Sequence, residues 1–264
     1  MLKAFEYLGA VGRGVTSPQL FRADDGKVYV VKLQNNRLGP KILANELLGA
    51  KLGELLGLCF PPGDIISIPE SFLQRYRSLL MAGVKPGRHF ACEYLSKTRY
   101  LNYRGILRAV NKSQMAGVML FDNLLHNYDR TLNRRNLLLR REGDGYHIYA
   151  IDNSHLFRRG LWTEQWLEKL APQVKINRYR SYGTLLAHCL RPEYFNEYVS
   201  RILQLSDDDI EAIVTQIPGE WLPHEQERQA LKGFLATRRD MAVEIATCIC
   251  ALIPNKNRRT DTDK

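Results

Sequence analysis

Several features that would fix the class of a chain at once are missing here. The 264 residues hold five cysteines, Cys59, Cys92, Cys189, Cys248 and Cys250, an odd and scattered set that offers no disulfide framework. Cys248 and Cys250 form a Cys-x-Cys pair inside an apolar helix-like run. Two thiols without further ligands read as small buried hydrophobes rather than a metal site. The most apolar stretch, residues 241–254, is interrupted by Glu244 and is too short to cross a bilayer. No secretory leader precedes Met1-Leu2-Lys3, so a reducing cytoplasm is the expected location and no membrane partner is expected. There is no Gly-x-x-x-x-Gly-Lys-Ser/Thr sequence, which excludes the P-loop route to phosphate binding. Internal repeats and low-complexity blocks are absent too.

What is present is an ordinary globular composition, 45% hydrophobic and 25% charged, with core enough for one large or two small domains. The formal charge of +10 raises the question of nucleic acid. The basic residues, however, are dispersed, with local pairs at Arg134-Arg135, Arg140-Arg141, Arg158-Arg159 and Arg238-Arg239 and a basic tail at residues 256–259. No nucleic-acid fingerprint accompanies them. The charge suits phosphates or an acidic partner equally well.

The texture changes near residue 96. Before it, residues 5–8, 18–22 and 27–33 read as short strands. A helix follows over 42–56, ended by Gly57, and then strands over 61–68 and 88–95, with 76–81 a weaker strand between them. After it, helical periodicity dominates, broken by a hairpin over 137–151. Ser206-Asp207-Asp208-Asp209 caps a helix through Ile217, and residues 224–253 form one long helix or two. The fold class is therefore α+β: a small sheet-rich lobe over 1–95, a larger helical lobe over 96–254 and a basic, unstructured tail over 255–264. Such a two-lobed plan makes a natural nucleotide cleft.

Chemistry concentrates in residues 121–136, which include Asn127-Tyr128-Asp129-Arg130 and Asn136, and in Ile151-Asp152-Asn153-Ser154. A phosphoryl-transfer site needs an aspartate to receive the acceptor's proton, with hard oxygen ligands for Mg²⁺ held on rigid supports. Asp129 fits the first role, and Asn136 and Asp152 fit the second. Leu137-Leu138-Leu139 and the alternating 146–151 segment, turned by Gly143-Asp144-Gly145, would set Asn136 and Asp152 side by side at one end of a hairpin. Each feature alone is weak, since Asp-Arg pairs are commonly surface ion pairs and Asn-rich loops are commonly turns. Their order is more specific.

Upstream, Gly12-Arg13-Gly14-Val15-Thr16-Ser17 lies between two strand-like pieces, where its backbone would face phosphate. Lys32 closes the alternating strand Val28-Tyr29-Val30-Val31-Lys32. Glu46, early in the next helix, is its expected partner. Glu93, Tyr94 and Leu95 stand where the lobes join, and their main chains are candidates for the adenine edge.

With these pieces in order, the chain resembles the HipA-like kinases over roughly residues 10–250. Its most specific match is the family's Asn-x-Asp-Arg catalytic loop and Ile-Asp-Asn metal segment. The resemblance implies a bilobal protein-kinase-like fold, dependence on ATP and Mg²⁺, and phosphorylation of Ser/Thr in a protein. Two departures stand out. The position five residues after Asp129 is Arg134, flanked by Asn133 and Asn136; Asn136 is preferred because the strand starts beside it, with Asn133 as the fallback. Ser154 replaces an expected glycine. The chain also starts almost directly at the first strands of the kinase core, short for the full-length toxin kinases of that family. Two other readings stay open: a small-molecule or lipid kinase, and a nucleotide-binding pseudokinase.

Overall fold

The structure, a computed structural model, describes residues 1–12 and 16–254. Arg13, Gly14, Val15 and the tail from 255 lie outside the described residues, as does the side chain of Arg134. The chain begins with strands β1 (Leu2–Ala10), β2 (Gln19–Ala23) and β3 (Val28–Lys32), then helix α1 (Lys41–Leu55). Strand β4 (Gly63–Ile68), helices α2 (Glu70–Arg75) and α3 (Arg77–Met81) and strand β5 (Gly87–Glu93) follow. The five strands close into a barrel in the order β1-β2-β3-β5-β4, antiparallel except for the β1–β4 contact.

Strand β3 shows how the pattern aims a functional residue. Tyr29 and Val31 point into the barrel and are buried. Because side chains alternate, Lys32 falls on the other face, where α1 lies. Helix α1 is buried on nearly every side, from Ile42 to Gly53, as expected of a helix wedged between layers. It stops where the sequence expected: Gly57 adopts φ +64°, and the Leu58 N–H returns to the Gly53 carbonyl at 2.8 Å.

Two expectations change. Residues 76–81 are helical, not a strand. Phe72, Leu73, Tyr76 and Leu79 recur at helical spacing and pack on the barrel core beside Phe21. And β6 (Thr98–Tyr100), a strand too short to show a pattern, joins the expected hairpin.

Beyond β6 come α4 (Tyr103–Arg108), α5 (Met115–Leu124) and the single turn α6 (Asp129–Leu132). The hairpin of β7 (Leu137–Glu142) and β8 (Gly145–Ala150) follows, paired in register from Leu137 opposite Ala150 to Glu142 opposite Gly145. Helices α7 (Glu164–Leu170), α8 (Ser181–His188), α9 (Glu193–Leu203), α10 (Asp207–Thr215), α11 (Glu225–Asp240) and α12 (Ala242–Cys250) complete the fold. Ser206 and Asp209 form the capping box of α10. Residues 224–253 hold two helices, broken at Met241.

Every residue of α5 is buried, which makes it the axis of the helical part. Two apolar cores result: one inside the barrel with α2 and α3, and a larger one around α5 that also takes in α1. The two parts are tied by Arg88 with Glu220, by the Trp221 Nε1–H donating to the Arg88 carbonyl at 3.2 Å, and by Lys41 with Glu227. No helix among the described residues is long and apolar enough to cross a membrane.

Candidate active site

The Lys32 ammonium, 8% exposed, donates to Glu46 Oε1 and, at 3.0 Å, to Asp152 Oδ1. Residues 120 positions apart in sequence are thereby joined. Burial works against the charged amine, but the Asp152 and Glu46 carboxylates outweigh it and hold Lys32 above its usual pKa. Burial is also the largest influence on Glu46, pushing its carboxyl up to about 7 despite Lys32. Asp152 goes the other way. Burial opposes its charge, yet Lys32 and the Ser154 hydroxyl hold it well below the usual carboxylate range.

Asp152 sits just past β8 with φ +69°, a left-handed position that turns the chain sharply after the strand. The Ser154 N–H and hydroxyl both donate to Asp152 Oδ1, so the serine that replaces glycine fixes the carboxylate's orientation. The Asn153 N–H donates to Glu46 Oε2 at 3.1 Å, tying the same turn to α1.

On the other arm, the Ile151 N–H donates to the Asn136 carbonyl at 3.0 Å and extends the β7–β8 ladder by one rung. Asn136 and Asp152 therefore flank one end of the hairpin, as the spacing predicted. Asn136 Nδ2 donates to Asp129 Oδ2 at 2.7 Å, which leaves Asn136 Oδ1 and the second Asp129 oxygen without a donor among the described residues. Asn133, the fallback, is occupied differently: its Oδ1 accepts from the Arg135 N–H and caps the short turn before β7. Glu46 and Asp152 flank one ammonium, and Asp129, bonded to Asn136, stands at the same end of the hairpin, where Asn136 adds a neutral oxygen. That donor set fits a divalent cation of the hard, oxygen-preferring kind.

Arg130 holds the parts together. Wholly buried, it donates to Asp122 Oδ2 at 2.8 Å, to the Ile151 carbonyl at 2.5 Å and to Asn153 Oδ1 at 2.6 Å, and it stacks over Phe60. Tyr182 also donates to Asp122. Sequence reasoning gave Arg130 no role of its own. It missed Asn45 as well, whose Nδ2 donates to the Ser154 and Gly160 carbonyls at 2.9 and 2.7 Å while Trp162 donates to its Oδ1. The available signal was an amide directly before Glu46, with apolar residues on the rest of that turn. Gly49 is a third: a Cβ there would sit 2.5 Å from Asn153 Cγ.

The remaining candidates lie at the barrel. The Val11 N–H donates to the Pro18 carbonyl at 2.9 Å, closing the connection between β1 and β2. Gly12 takes φ +46°, Ser17 φ +45°, and Thr16 is buried; Gly14 and Val15 fall outside the described residues. At the end of β5, two of the N–H groups among the candidate main chains are spent. The Glu93 N–H goes to the Pro62 carbonyl at 2.8 Å and the Tyr94 N–H to the Val28 carbonyl at 2.9 Å. Pro62 has no N–H to return; the Glu93 carbonyl accepts only a long contact from the Cys92 thiol at 4.0 Å, and the Leu95 N–H has no acceptor among the described residues.

A lysine clamped between a helix glutamate and a hairpin aspartate, on a barrel joined to a helical bundle, places the chain in the class of kinases. The family model for HipA-like kinases matches residues 5–245, and the chain belongs to that family. Among solved structures, the Helicobacter pylori proinflammatory kinase CtkA aligns with a TM-score of 0.58 and 13% identity, covering 95% of this chain and 97% of its own. The Golgi casein kinase aligns with a TM-score of 0.58 and 10% identity over 98% of this chain and 74% of its own; one of its structures has Mn and ADP bound. HipA of Shewanella oneidensis, in a complex with HipB and operator DNA, gives 0.50 and 12% over 94% of this chain and 68% of its own. At these identities the likeness is one of fold. No curated protein sequence matches the chain.

Proposed function

We propose that the chain is an ATP- and Mg²⁺-dependent kinase that transfers the γ-phosphoryl group to a Ser or Thr hydroxyl of a protein. In this reading the barrel with α1 carries the nucleotide, the helical part carries the acceptor, and the two form the lobes of a bilobal kinase. The observation that carries it is Lys32 held between Glu46 and Asp152, with Asp129 and Asn136 bonded to each other at the same hairpin end.

Bound Mg²⁺ would neutralise charge on the phosphates. Asp152 and the free Oδ1 of Asn136 are the residues that would hold it. Lys32, kept charged by its two carboxylates, would bind phosphate oxygens, with the Gly12–Ser17 backbone covering them. The Glu93 carbonyl, held only by the weak Cys92 thiol contact, and the Leu95 N–H would meet the adenine edge. Asp129 would orient the acceptor hydroxyl and take its proton through the oxygen that Asn136 leaves free. The new O–P bond then forms as the bond to the departing ADP breaks. Arg130 touches no reactant; it positions Asp152 through Ile151 and Asn153.

The test is transfer of label from γ-labelled ATP into protein, lipid and small-molecule fractions of a cell extract. Label entering protein with wild type but not with Asp129→Ala supports the proposal. Label entering lipid or metabolites instead reassigns the acceptor, and ATP binding without transfer to any fraction makes the chain a pseudokinase.

A further inference from the structure

From Lys169 through Pro192 the sequence contains no aspartate or glutamate but five basic residues, Lys169, Lys175, Arg178, Arg180 and Arg191. In a chain that is 25% charged, the one-sided charge of this segment is a feature of its own. Its first half, between α7 and α8, is not free at the surface. Asn177, 1% exposed, is its anchor: Thr131 Oγ1 donates to Asn177 Oδ1 at 3.0 Å, and the Asn177 N–H donates to Asn123 Oδ1 at 2.7 Å. The Tyr128 hydroxyl donates to the Lys175 carbonyl at 3.1 Å, and Arg180 donates to the Leu132 carbonyl.

Tyr128, Thr131 and Leu132 are the residues one before, two after and three after Asp129. The acid-free loop is therefore bolted to both sides of the residue that would receive the acceptor's proton. Its outward side chains are Lys175, Arg178, Tyr179 and Arg180, all exposed. Lys175, Arg178 and Arg180 have no carboxylate partner among the described residues, and Arg158 stacks behind Tyr128 to add to the same field. Unpaired cations placed this way attract anionic groups and cost nothing further in broken ion pairs when they bind them.

We infer that this loop selects the acceptor: the hydroxyl is presented by an extended segment carrying acidic residues within a few positions of it. The inference rests on the kinase reading above and names the substrate class of that site. A strand advances about 3.3 Å per residue, so carboxylates two to four residues from the hydroxyl sweep the distance from Asp129 across the loop. Tyr179 adds an exposed ring for the apolar part of such a segment.

The test uses two fluorescein-labelled peptides with a single serine, one flanked by glutamates and one by glutamines, and a single-stranded oligodeoxynucleotide of the same charge as the first. Binding is read by anisotropy and phosphorylation by label transfer. The glutamate peptide should bind and react with the lower KM. Lys175→Gln/Arg178→Gln should raise that KM about threefold to tenfold, two exposed charge pairs' worth, with kcat little changed. ATP turnover without acceptor should be unaltered, and Arg180 is kept because it also supports Leu132. Equal binding of the two peptides, a preference that survives the double substitution, or displacement of the peptide by the oligodeoxynucleotide at lower concentration overturns the inference. Absence of Mg-ATP turnover in the wild type would instead defeat the kinase reading, and the anisotropy comparison would still decide the surface.

Discussion

Replacing Arg130 with methionine keeps most of the side-chain volume and removes the charge from a closed polar cluster. Arg130 and Asp122 are both wholly buried, so no water can take over when the guanidinium goes. Asp122 keeps the Tyr182 hydroxyl, but its carboxylate loses the compensating cation. Burial already raises its pKa against the pull of Arg130. The Ile151 carbonyl and Asn153 Oδ1 lose their donor at the same time. Leaving one member of a buried pair alone costs about 3–5 kcal/mol, and the lost bonds to Ile151 and Asn153 are part of the same network rather than additional to it. Urea denaturation followed by tryptophan fluorescence near neutral pH should show that loss. Asp122→Asn added to Arg130→Met should return part of it, because the stranded carboxylate is gone. A loss below about 1 kcal/mol, or a double variant no more stable than the single one, would refute the reasoning.

Three further outcomes follow from other residues. His89 is fully buried, accepts from the Gln34 N–H through Nδ1 at 2.9 Å, and is held neutral by burial, its pKa pushed down to about 4; burial with Arg238 and Arg158 nearby pushes His126 down to about 3. Depressed histidine pKa values contribute stability that is present above the unfolded value and lost as pH falls toward the folded one. Stability should therefore drop between about pH 6.5 and 4, by about 2 kcal/mol per histidine at pH 5, measured as unfolding free energy against pH; a flat profile contradicts it. Gly49→Ala gains up to about 1 kcal/mol of helix propensity but drives a methyl into Asn153, so a net loss of about 1–2 kcal/mol is expected. Thermal unfolding checks it, and Asn153→Ala in the same chain should relieve the clash. Lys32→Met leaves Glu46 and Asp152 facing each other, and calorimetry should show nucleotide affinity lost while Mg²⁺ binding persists.

What the sequence made legible were features with a period or an order. Strand alternation put Lys32 on the face turned to α1, and the Gly143-Asp144-Gly145 turn fixed the register that sets Asn136 beside Asp152. What it hid depended on contacts between distant residues. An Asp-Arg dipeptide looks like a surface pair, and only the return of the chain past the end of α5 shows that Arg130 pairs with Asp122 rather than with its neighbour. Glu93 and Tyr94 looked available as main-chain donors because nothing local shows that Pro62 and Val28 take their N–H groups. Residues 76–81 carried a helical spacing that reads as a strand only when Phe72 and Leu73 are left out of the window.

The most direct measurement is the Mg²⁺-dependent rate of γ-phosphoryl transfer from ATP by wild type and by Asp152→Asn, each verified as folded. If Lys32, Asp129, Asn136 and Asp152 are one phosphoryl-transfer site, wild-type turnover requires Mg²⁺ and the substitution lowers it by about a thousandfold or more. Turnover by Asp152→Asn within about tenfold of wild type would contradict that assignment.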